Sequence, residues 1–142
     1  MIPRESTKAG SFLPVQAASL PHAGITRAVE FIQWHFSKIL DLEQVAEKAC
    51  LSKYHFSHLF HRTVGVSFQD YLIRVRVERA KQLLTETPYR SLTRIAIEVG
   101  FGSLRNFEGQ FKKICECCPS AYRARFERTR ARLFARSARS RV

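Results

Sequence analysis

Residues 94–113 read RIAIEVGFGSLRNFEGQFKK, and the fold turns on whether Gly100 and Gly102 form a phosphate-binding loop or a turn between helices. A dinucleotide-binding fingerprint needs a third glycine three positions after the second, where Arg105 stands, and a strand ahead of it. No strand pattern precedes it. Leu92, Ile95, Ala96 and Val99 instead fall on one face of a short helix that Ser91 can cap. Gly100 closes that helix, Ser103 caps the next, and Phe107 with Phe111 makes a buried i, i+4 pair. The stretch therefore reads as helix, tight turn, helix.

The same pattern occurs upstream. Asp41 followed by Gln44 is a capping box for a short helix with Leu42, Val45, Ala46 and Ala49 on its buried side. Cys50-Leu51 breaks the chain, Ser52 caps KYHFSHLFHRTV with Phe56, Leu59 and Phe60 inward, and Gly65 ends it. Val45-Ala46 matches Ile95-Ala96 at an offset of 50, while Ser52, Phe56, Phe60, Arg62 and Tyr71 match Ser103, Phe107, Phe111, Lys113 and Tyr122 at an offset of 51. The extra residue, Gly102, falls in the second turn. Such self-similarity marks a duplicated unit, here a helix-turn-helix.

Between the copies, Ile73, Val77, Ala80 and Leu84 predict a linking helix over about 68–86, with Arg74, Arg76, Arg79 and Lys81 interleaved and Pro88 beyond it. Ahead of them, Ile25, Ala28, Val29, Ile32, Phe36 and Ile39 predict an amphipathic helix, its apolar face broadened by Phe31 and Trp34. Residues 1–23 read as a flexible leader or linker, residues 24–127 as the folded domain, and residues 128–142 as an arginine-rich tail. The two helix-turn-helix units cover about 42–64 and 92–115. Pro119, Tyr122 and Phe126 start a last helix.

Of the 142 residues, 45% are apolar and 11% aromatic, enough for one core or two small ones. Lys and Arg number 24 against 12 acids, giving +12 and a pI near 10.2, a balance that favours a polyanionic partner. Eight arginines and one acid, Glu127, lie between Pro119 and Val142. No apolar run reaches the length of a membrane span and no signal-peptide core is visible, so a cytoplasmic protein with no membrane contact is expected. Its cysteines, Cys50, Cys115, Cys117 and Cys118, are then thiols. CECC at 115–118 is followed by no histidine at zinc-finger spacing. No metal or other cofactor is expected, and no acid, base and nucleophile set suggests an enzyme.

A helix-turn-helix places its second helix in the DNA major groove, so exposed positions follow by subtraction from the buried ones. In the first reading helix these are Lys53, Tyr54, Ser57, His58 and His61; in the second, Leu104, Arg105, Glu108 and Gly109. Arg105 suits a guanine, Glu108 a cytosine amine, and Leu104 or Tyr54 a thymine methyl. Lys53, Ser57 and His58 complete the base-contacting candidates, whereas His61, Arg62, Arg76, Lys112 and Lys113 are candidates for phosphates. Glu108 has a competing role as an i, i+4 partner of Lys112. A linking helix of this length spans about 27 Å. It would let two reading helices lie about 34 Å apart, one turn of duplex, without a partner subunit.

LSKYHFSHLFHRTVGVSFQDYL, RVRVERAKQLL, RIAIEVGFGSLRNFEGQFKK and CPSAYRARF together resemble the DNA-binding domain of the AraC/XylS family of bacterial transcription regulators over about residues 25–126. The resemblance implies an all-α, seven-helix fold of two homeodomain-like three-helix units. It also implies a transcription regulator, an activator in the first instance, that touches RNA polymerase as well as double-stranded DNA. Three departures stand out. Glu116 occupies the place after the second reading helix where the family has glycine, and Gly109 a place where it often has arginine. Most members also carry an effector or dimerisation domain ahead of this module, which 24 residues cannot form; a stand-alone regulator, monomeric on DNA, or a fragment of a larger one is expected. Two alternatives stay open: a thiol-based redox or alkylation sensor built on CECC beside Lys112 and Lys113, and a nonspecific polyanion binder acting through the arginine-rich tail.

Overall fold

The computed structural model describes residues 20–140. Among these, seven helices follow one another and no strand occurs: α1 (Ala23–His35), α2 (Leu42–Lys48), α3 (Lys53–Val64), α4 (Phe68–Glu86), α5 (Leu92–Glu98), α6 (Leu104–Cys115) and α7 (Pro119–Arg139). They form two compact units, one ending at Glu78 and the other beginning at Arg79. The expected leader, residues 1–23, lies outside the described residues up to position 19.

In the first unit each short helix starts at a side chain that accepts from the otherwise unpaired N–H groups of its first turn. Asp41 and Gln44 complete a capping box for α2, with the Asp41 carboxylate accepting from the Gln44 N–H at 2.8 Å and the Gln44 side chain accepting from the Asp41 N–H at 3.3 Å. The Ser52 hydroxyl accepts from the His55 N–H of α3. At α1 the cap is His22, whose Nδ1 accepts from the Gly24 and Ile25 N–H groups. Ile25, Ala28, Val29 and Ile32 of α1 pack with Val45, Ala46, Phe56, Phe60, Phe68 and Tyr71 around one core. Phe60 meets Tyr71 edge-on at 5.7 Å, and Phe68 meets both Phe56 and Phe60 at 6.4 Å. Each such side chain withdrawn from water contributes roughly 1.5–3 kcal/mol.

The second unit repeats the arrangement. Ser91 and Ser103 cap α5 and α6 by accepting from the Arg94 and Asn106 N–H groups. Phe111 meets Phe107 at 5.7 Å and Tyr122 at 5.6 Å, the counterparts of Phe60 with Phe56 and Tyr71. One ring is supplied differently. Where the first unit uses Phe68 at the start of α4, the second has Pro119 at the start of α7 and takes its extra ring from the turn, Phe101, at 5.4 Å from Phe107. Arg90 pairs with Glu98, and Arg123 donates to the Arg90 carbonyl at 2.7 Å, tying α7 to the segment ahead of α5.

The residues with positive φ among those described are Cys50 (56°), Gly65 (89°), Gly100 (100°) and Glu116 (60°). They form two matched pairs. Cys50 and Gly100 follow the first helix of each helix-turn-helix, α2 and α5, while Gly65 and Glu116 cap the second, α3 and α6, each donating its N–H to a carbonyl one turn back. Each pair thus holds one glycine and one residue whose Cβ resists that conformation. Glu116→Gly and Cys50→Gly are each expected to raise stability by about 1 kcal/mol. The check is a higher urea midpoint at unchanged slope; a lower midpoint for either would mean that its side chain supports the turn.

Two features of α1 correct the pattern reading. Ile39, expected on the buried stripe, is 94% exposed, and Trp34, expected to broaden it, is 83% exposed. The helix ends at His35, so Ile39 lies in the following loop. Arg76 holds that loop in place, donating from Nε to the Phe36 carbonyl at 2.7 Å and from a terminal nitrogen to the Lys38 carbonyl at 2.9 Å. In α4, Tyr71, Leu72, Val75, Val77, Ala80, Leu83 and Leu84 are all buried and Lys81 is 8% exposed, whereas Ile73, expected on the buried stripe, is only half-buried.

Candidate nucleic-acid interface

With Phe56 and Phe60 fully buried, the outer face of α3 is set by the helical period. Tyr54, His58 and His61 recur at four- and three-residue steps along it, flanked by Lys53, Ser57 and Arg62, and all six are exposed. Tyr54, at 82% exposure, is a large ring held out in solvent. Phe107 and Phe111 orient α6 in the same way. Its outward stripe is Arg105, Gly109 and Lys112, with Glu108 and Lys113 also exposed and Leu104 half-buried at the first turn.

The two stripes occupy equivalent positions: Tyr54 matches Arg105, His58 matches Gly109, and His61 matches Lys112. Chemically they differ. The first presents an aromatic ring and imidazoles, the second two cations with a gap between them. Glu108 makes no salt bridge with Lys112, which leaves its carboxylate open to a base amine. A Cβ added at Gly109 would meet nothing within 4 Å, so that position opens directly outward. Both helices begin with capped N-termini beneath these side chains, at Ser52 and Ser103, so the stripes stand on rigid first turns.

Two further side chains on these helices are exposed: His55, the third histidine of the His55, His58, His61 series, and Asn106, which the apolar period did not single out. Each is the residue whose N–H the cap serine engages, and an exposed Asn can bind adenine through two bonds. Their place beside the outward stripe on the helical wheel was the available signal. Arg76, a phosphate candidate in the sequence, is half-buried and donates to the Phe36 and Lys38 carbonyls.

A family model described as a helix-turn-helix domain matches residues 45–125, more than half of the chain. A transcriptional regulator from Chromobacterium violaceum, described by its AraC-type DNA-binding domain, superposes with a TM-score of 0.68 at 25% identity, covering 72% of this chain and 91% of that one. The chain belongs to the AraC/XylS family. It is similar also to the DNA-binding domain of AdpA, a global transcriptional factor whose structure was solved in complex with a target DNA (TM-score 0.72, 28% identity, 76% of this chain and 96% of that one). An HTH-type transcriptional regulator from Staphylococcus aureus is 35% identical over 99 residues, 70% of this chain. The chain spans 13% of the length of that regulator.

As an AraC/XylS domain the chain carries two residue departures, Glu116 and Gly109, both on the second unit. Glu116 takes the left-handed C-cap conformation itself, with φ 60° and ψ 11°. Gly109 leaves the centre of the α6 stripe bare. The CECC cysteines are distributed by the turn between α6 and α7. Cys115 is buried, Cys117 is partly covered, and Cys118 is the exposed N-cap of α7, its thiol 3.2 Å from the Ser120 hydroxyl. That contact, followed by backbone N–H groups of the helix start, lowers the Cys118 pKa from its ordinary value. Among the described residues no three metal-ligating side chains gather in one place, and no helix is long and apolar enough to cross a membrane.

Proposed function

We propose that this chain is a sequence-specific regulator of transcription that binds double-stranded DNA as a monomer in the cytoplasm, inserting α3 and α6 into successive major grooves. The observation that carries this reading is the duplication itself: two capped helices, each anchored by a buried phenylalanine pair, with polar, aromatic and cationic side chains at equivalent outward positions. Their chemical difference implies an asymmetric site. Arg105 and Glu108 read bases on one side, Tyr54, Ser57 and His58 on the other, while Lys112, Lys113 and Arg62 hold phosphates. Action as an activator touching RNA polymerase is part of the same proposal.

Binding-site selection from a random pool, followed by affinities across salt, tests it. Arg105→Ala is expected to relax discrimination at one base position by about 1–3 kcal/mol. Lys112→Ala is expected to weaken all sequences alike and to take about 0.9 off the salt slope. Enrichment of no site over random DNA would sink the proposal.

A further inference from the structure

The arginine-rich C-terminal segment is the continuation of α7 to Arg139, and the helix sorts its charge. Arg125, Arg128, Arg132, Arg136 and Arg139 recur at steps of three, four, four and three, and all five are exposed. At 3.6 residues per turn they fall within an arc of about 80° and run for about 21 Å along the axis. The other side of the helix carries Pro119, which is buried, Phe126, and Arg123, which donates to the Arg90 carbonyl, while Tyr122, which packs on Phe111, lies on the flank toward them. The stripe therefore faces away from the core of the unit.

Within the chain this stripe is unsatisfied. Its five guanidinium groups make no ion pair with any described residue, and Glu127, the one acid on α7, lies off the arc. Like charges at three- and four-residue steps repel one another on a helix. A linear array of anions relieves that repulsion, and a phosphate backbone supplies it with release of counterions. A bilayer fits less well. Beyond Phe126 the opposite face offers Leu133 and Phe134, with Arg130 between the turns, too little apolar surface to seat a helix at an interface.

We infer that this face of α7 is a third DNA-contacting surface, gripping the phosphate backbone of duplex DNA without reading its sequence. The inference rests on the DNA-binding reading above and extends it beyond the two reading helices. It assigns to α7 affinity and salt dependence, and to α3 and α6 the choice of site.

The test uses the full chain in fluorescence anisotropy titrations over a salt series, with a selected-site duplex, a random-sequence duplex, and vesicles containing phosphatidylserine. Changing the five stripe arginines to glutamine is expected to lower the salt slope by about 4.5 on both duplexes, about 0.9 per lost phosphate contact. The preference between the two duplexes should stay as in the parent. Arg130→Gln, off the stripe, should keep the parent slope. Should circular dichroism show the quintuple variant poorly folded, Arg132→Gln and Arg136→Gln singly answer the same question at about 0.9 each. A parent-like slope in the stripe variants, or a loss confined to the vesicles, overturns the inference. A parent chain with no preference between duplexes would instead count against the proposed function, leaving the slope comparison still readable.

Discussion

Phe111→Ala is expected to destabilise the second unit by about 3–5 kcal/mol, the range for emptying a buried phenylalanine site. Phe111 is fully buried and its ring lies between Phe107 of its own helix and Tyr122 of α7. Removing it opens a cavity at the junction of α6 and α7, next to the Phe107 and Tyr122 rings. A small domain holds about 5–15 kcal/mol in all. The variant should therefore melt its second unit early, detectable as a first urea transition accompanied by loss of amide protection in α5 and α6. A drop below about 1 kcal/mol would contradict the packing described for this ring.

Arg76→Ala is expected to cost about 2–3 kcal/mol, near the value of one strong charge-assisted hydrogen bond although two are lost, because the site is half exposed. Its guanidinium joins the Phe36 and Lys38 carbonyls across the end of α1. Burial lowers the pKa of the group from its ordinary value, yet an arginine remains charged under any working condition. Lysine, with a single ammonium, cannot serve both carbonyls in the same fork and should recover only part of the loss. Denaturation supplies the stability, and the DNA salt slope supplies the discriminating readout. A clamp leaves that slope unchanged, whereas a fall of about 0.9 would restore Arg76 to the phosphate contacts.

Most of the helix boundaries were legible because they are local events. Asp41 with Gln44, Ser52, Ser91 and Ser103 each satisfy N–H groups within three residues, and the phenylalanine pairs mark the buried side by spacing of four. The repeat was legible for the same reason: the matched residues do the same packing work in each copy, down to ring distances of 5.7 and 5.6 Å for Phe60–Tyr71 and Phe111–Tyr122. The left-handed turn at Glu116 also followed from its match with Gly65. That Cys50 shares this strain, as the counterpart of Gly100, came from the backbone itself.

Other features depended on partners distant in sequence. Nothing local distinguishes Arg76 from Arg79, but Arg76 meets a loop some 40 residues upstream and Arg79 pairs with Gln82 on its own helix. The apolar spacing of Phe36 and Ile39 continues that of Ile32, yet the helix stops and leaves Ile39 in water. By itself, then, the sequence determined the all-α class, the duplicated helix-turn-helix and the outward faces of α3 and α6, since caps and apolar period act within a turn or two of the chain. Tertiary structure decided which arginines are clamps and which face outward. It also turned a run of C-terminal charge into a stripe, because a side chain's role depends on what the folded backbone brings within its reach.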